Sequence, residues 1–130
     1  MKSLFVLAPV AATMCAAALT ALPAAGTPPV ADQGAQVFAT CRTCHTLQAG
    51  ARSGIGPNLN GVFGRKAGAL PGYNFTPALK KSNITWNAQT LDKFLAAPTQ
   101  VVPGTRMVMK VAEPAKRAAL IAYLKAETSK

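Results

Sequence analysis

The sequence predicts an all-α single domain, a few short helices joined by long loops. Three observations carry this. No period-2 alternation of apolar residues lasts long enough for a sheet, several segments repeat apolar residues at helical spacing, and 10 Gly and 10 Pro break up the rest of the 130 residues. The chain is 50% hydrophobic, with 14 Lys+Arg against 4 Asp+Glu and a formal net charge of +10. It is too apolar for a disordered basic tail and no longer than one ordinary domain.

Residues 1–26 read as an export segment. Met1 and Lys2 make a short positive start, Ser3 to Gly26 is uncharged and Ala-rich, and Ala24, Ala25 and Gly26 offer small residues at a cleavage point. The uncharged run is long enough for an uncleaved membrane anchor to compete. Pro9, Pro23 and the weak hydrophobicity of Ala favour the cleaved signal peptide, which places the mature chain outside the cytoplasm, in a bacterial periplasm. Cys15 follows Met14 rather than a small residue, so it is an apolar filler of the leader and not a lipid attachment point.

Residues 27–31 (Thr-Pro-Pro-Val-Ala) form an extended linker, and residues 32–130 form the domain. Asp32 caps a first helix that buries Val37 and Phe38 and runs into Cys41. Between Gly50 and Gly72, glycine and proline leave no room for a regular element. A short helix fits residues 77–81. Asn87 caps a clearer one carrying Leu91, Phe94 and Leu95, which Pro98 ends. Residues 101–111, with Pro103-Gly104, form a loop. Pro114 opens the last helix, where Leu120, Ile121 and Leu124 share a stripe and Lys116 and Arg117 face solvent. So few large side chains make a marginal core, and loops this long need something to organise them.

Cys41-Arg42-Thr43-Cys44-His45 is a C-x-x-C-H signature. Two sulfurs three residues apart at a helix end can add to the two vinyl groups of one haem while the adjacent imidazole meets the iron. A zinc site needs four ligands, and the mature chain holds no Cys or His beyond these three. A redox dithiol lacks its βαβ context, and a plain structural disulfide leaves His45 unexplained. A second axial ligand decides the chemistry: an open site binds small ligands, whereas a thioether favours ferrous iron and electron transfer. Two methionines remain, Met107 and Met109, and either could simply fill the core. The rigid Pro103-Gly104 turn before Met107 suits it to reach the iron opposite His45.

With these pieces in place, the chain resembles the class I c-type cytochromes, the small mitochondrial and bacterial type, over nearly all of residues 32–126. The carriers are residues 41–45, Gly56-Pro57-Asn58-Leu59, Gly64-Arg65-Lys66 with Pro71-Gly72-Tyr73, Ile84-Thr85-Trp86, Pro103-Gly104-Thr105-Arg106-Met107, and Leu120-Ile121-Ala122-Tyr123-Leu124. The resemblance implies the cytochrome c fold around one covalently attached haem c per chain, with His45 and Met107 as iron ligands. It implies that the Pro57 carbonyl accepts the other ring proton of His45, and that Arg65, Trp86 and Thr105 meet the haem propionates. Met109 would lie at the haem edge, and Gly34 and Phe38 would cross the last helix near Leu120 and Tyr123. Leu79, Phe94 and Phe75 depart from the usual Asn, Tyr and Tyr, which implies a drier haem pocket.

The resemblance also implies a one-electron carrier and not an enzyme, a monomer that passes electrons from a membrane cytochrome complex or dehydrogenase to a terminal oxidase, peroxidase or reaction centre. Without the leader the chain keeps 13 basic side chains. Export argues against nucleic acid as their partner. Arg42, Arg52, Arg106 and Lys110 fall near the expected haem edge and suit acidic redox proteins. Two rivals share the same residues: a membrane-anchored subunit of an oxidase or dehydrogenase, and a peroxidase or gas-binding haem protein whose sixth ligand leaves.

Overall fold

Helix α1 spans Val30–Cys41, α2 Pro77–Lys80, α3 Ala88–Ala96, α4 Pro98–Val101 and α5 Pro114–Thr128. The computed structural model describes Gly26 and residues 29–129, so the leader call over residues 1–25, and Thr27 and Pro28 of the expected linker, lie outside the described residues. Among the described residues there is no strand, only an isolated antiparallel bridge between Lys66 and Thr85. No described helix is long and apolar enough to cross a membrane.

Helix α1 starts inside the segment expected to be linker, and Asp32 is not its cap. The Pro29 carbonyl accepts the Gln33 N–H at 3.0 Å and closes the first turn directly. Asp32 lies within that turn, where its charge opposes the positive end of the helix. Helix α2 begins as expected with Thr76 accepting the Leu79 N–H at 3.3 Å.

Helix α3 carries a full capping box. The Asn87 side chain accepts the Thr90 N–H, and the Thr90 hydroxyl oxygen accepts the Asn87 N–H, both at 2.9 Å. Replacing Asn87 with alanine is expected to cost about 1 kcal/mol, read as a lower denaturant midpoint with an unchanged slope. Pro98 ends α3 as expected and also opens α4. Its missing N–H costs nothing at a first helical position, and its ring is almost fully buried.

The core sits where α1 and α5 cross, with α3 beside them. Phe38, Leu91, Phe94, Leu95, Leu120, Ile121 and Leu124 are buried together. Gly34 makes the crossing close: a Cβ there would stand 2.4 Å from the Ala119 carbonyl oxygen and 2.5 Å from Tyr123 Cβ. The Phe38 and Tyr123 rings meet at 5.6 Å.

The last helix corrects one expectation. Lys116 is exposed and pairs with Glu113 at 2.6 Å, but Arg117 does not face solvent. It is 9% exposed, and its Nε donates to Asp92 Oδ1 on α3 at 2.7 Å. Its Nη1 donates to the carbonyls of Val111 and Ala112 at 3.0 and 2.7 Å. A cation can be buried there because a carboxylate and two carbonyls replace its water.

Candidate functional site

The signature residues close α1. The Cys41 carbonyl accepts the N–H groups of Cys44 at 3.0 Å and His45 at 2.9 Å, so one turn brings both cysteines and the histidine together. From there the chain is clipped to the Gly/Pro-rich segment, Gly56 N–H to the Cys44 carbonyl and Leu59 N–H to the Thr46 carbonyl, each at 2.9 Å. This pairing puts the Pro57 carbonyl 2.8 Å from His45 Nδ1. A carbonyl only accepts, so Nδ1 carries the proton and Nε2 keeps its lone pair.

Gly56 lies flat against that imidazole; a Cβ on it would come within 2.4 to 2.8 Å of three ring atoms. Burial pushes the His45 pKa down, opposed in part by the hydrogen bond to Pro57. The ring is therefore held neutral, the form a metal needs. No disulfide joins Cys41 to Cys44, which leaves both sulfurs for attachment to a cofactor. Among the described residues no cluster of three His, Cys, Asp or Glu side chains is placed to hold a metal ion by itself. Two thiols on one turn beside an oriented neutral imidazole fit a covalently bound haem.

The other expected site residues form two further groups. Arg65 and Trp86 are joined through the backbone, the Trp86 N–H donating to the Arg65 carbonyl at 2.9 Å. The Arg65 guanidinium donates to the carbonyls of Asn58 and Asn60, both at 3.0 Å, and burial lowers its pKa. It thus braces the loop that presents Pro57. Trp86 is buried and meets Phe94 edge-on at 5.1 Å. Thr105 and Met107 form the last group: the Met107 N–H donates to Thr105 Oγ1 at 3.3 Å, and Met107 packs on the core while Met109 is 48% exposed. Leu79 packs on the same core, and Phe75 is buried against Tyr73.

Asn58 was quoted in the sequence only as part of a motif, yet it ties the site together. Its side chain donates to Thr46 Oγ1 at 2.8 Å and to the Gln48 carbonyl at 3.0 Å, and accepts the Asn60 N–H at 2.9 Å. Of two surface grooves, one is lined by residues 50–53, 58, 60 and 70–72 and borders the Asn58 network, and the other lies between α3 and α5. Neither touches His45 or Met107, so the site is defined by its ligating groups and not by groove volume.

The helical fold and the paired thiols beside a fixed imidazole define a c-type haem protein. The family model for cytochrome c matches residues 31–127. The chain belongs to the cytochrome c family, carries covalently attached haem c, and is an electron-transfer protein and not an enzyme. It is 47% identical over 93 residues to cytochrome c2 of Rhodomicrobium vannielii, covering 71% of this chain and 74% of that protein. Cytochrome c2 iso-2 of Magnetospirillum fulvum is 49% identical over 89 residues, covering 68% and 92%. In structure the chain resembles cytochrome cH from Methylobacterium extorquens, with a TM-score of 0.69 and 45% identity, covering 74% of this chain and 97% of that one.

Proposed function

We propose that this cytochrome is a periplasmic shuttle that docks on acidic redox proteins through the basic surface around its haem. The observation that carries this is the sign of the charge. The sequence has no Asp or Glu between Cys41 and Asp92, a stretch that holds Arg42, Arg52, Arg65, Lys66, Lys80 and Lys81. The loop with Met107 adds Arg106 and Lys110 and no acid before Glu113. Two of the four carboxylates, Asp92 and Glu113, are already paired with Arg117 and Lys116. Among these cations Ile55 and Val108 are 78% and 72% exposed, a dry surface suited to brief contact.

When bound, the haem supplies a reversible one-electron couple. The chain's own groups prepare it: Cys41 and Cys44 tether the ring, and the Pro57 carbonyl fixes and enriches the His45 imidazole. Met107 would supply the second iron ligand. Arg65 would offset the propionate charge, and Trp86 and Thr105 would donate hydrogen bonds to the propionates. Transfer would then need only close approach of a partner to the bound haem. The export-type N-terminus supports the periplasmic site, with residues 1–26 removed and the mature protein a monomer.

The rate of electron exchange with an acidic partner is expected to fall about tenfold or more from 10 mM to 0.3 M salt, as the screening length shrinks from about 30 Å to under 10 Å. Stopped-flow kinetics reads this, and a flat profile rejects the docking surface. The same rate with a basic partner is expected to rise with salt.

A further inference from the structure

We propose that Arg117 is a positioning residue for Met107, holding closed the loop that brings this ligand to the iron. The proposal rests on Met107 as axial ligand. The loop leaves α4 at Val102 and ends at Glu113, and its middle is exposed at Val108, Met109 and Lys110. On the entering side it is held by Thr105 N–H to the Val102 carbonyl at 3.0 Å and by the Arg106 guanidinium on the Asn74 carbonyl, the latter at the surface. On the leaving side the Val111 N–H donates to the Leu95 carbonyl at 2.8 Å, and Arg117 takes the carbonyls of Val111 and Ala112.

Arg117 is the one member of this set that is a buried, charged side chain. Its Nε pair with Asp92 fixes the guanidinium to α3, so the two loop carbonyls are tied to the α3–α5 frame. Val111 is four residues from Met107. Without the guanidinium the leaving side of the loop keeps only the Val111 N–H to the Leu95 carbonyl, so the loop can swing outward, and an outward swing withdraws Met107. Closure of the sixth position thus depends on Arg117, although it touches neither haem nor Met107.

The test uses holoprotein. An external ligand that needs the sixth position binds in proportion to the fraction of molecules in which Met107 is off the iron. Imidazole is titrated into the ferric protein, carbon monoxide is mixed with the ferrous protein, and melting is followed by circular dichroism. R117M is expected to bind imidazole about tenfold more tightly and carbon monoxide about tenfold faster than the unaltered protein, the size of effect that losing a charge-assisted hydrogen bond produces. R117K is expected to fall between. K116Q, one residue away in an exposed pair, is expected to change neither.

If R117M only lowers the melting temperature and leaves both ligand measurements alone, Arg117 is merely structural and the proposal fails. Should R117M not fold, R117K decides, and unaltered imidazole binding overturns the proposal. K116Q matching the arginine variants would overturn it as well. Failure of the underlying ligand assignment looks different: the sulfur-to-iron band would then survive in M107A.

Discussion

Replacing Met107 with alanine is expected to remove the weak sulfur-to-iron band near the red end of the ferric spectrum. It should also lower the reduction potential by on the order of a few tenths of a volt and let carbon monoxide bind at once to the ferrous protein. A thioether is a soft donor that favours the reduced metal, so its loss shifts the couple downward. Met109 serves as the internal control. It is nearly half exposed, while Met107 packs on the core with its N–H held by Thr105. M109A should keep the band and most of the potential. The reverse pattern, a band lost in M109A and kept in M107A, would overturn the ligand assignment.

A single methyl at Gly34 has the second large effect. The Gly34→Ala Cβ would collide with the Ala119 carbonyl oxygen and Tyr123 Cβ, neither of which can turn aside as a flexible side-chain tip would. Either α1 moves off α5 or both helices strain, at a cost of about 3 kcal/mol. For a domain of this size that lowers the melting temperature by roughly 10–20 °C. Calorimetry of the holoprotein gives the answer, and a melt within a few degrees of the unaltered protein would mean that the helices do not cross there.

Much of the site was legible because its chemistry is local. Residues 41–45 pointed to their cofactor through their spacing together with the export segment and the lack of any further Cys or His ligand, and Asn87 and Pro114 announced their helices through groups that act within one turn. What escaped was set by partners far along the chain. Arg117 stands three, four and seven residues before Leu120, Ile121 and Leu124, on the very stripe read as buried, so the periodicity did signal its burial. Its acceptors did not show, because Asp92 lies on another helix and the other two are backbone carbonyls of an irregular loop. Asn58 was hidden in the same way: its partners Thr46 and Gln48 meet it only after the chain doubles back. The start of α1 was misplaced by three residues, from a cap at Asp32 to one at Pro29, because Pro29 supplies backbone geometry and a carbonyl where a side-chain cap was sought.

The seat of α1 on α5 also joins segments far apart in the sequence into one cooperative unit. Gly34 closes on Ala119 and Tyr123, so neither helix is fully supported until the loops between them have been gathered in. The cysteines and the histidine at the end of α1 are thereby steadied by a contact with α5.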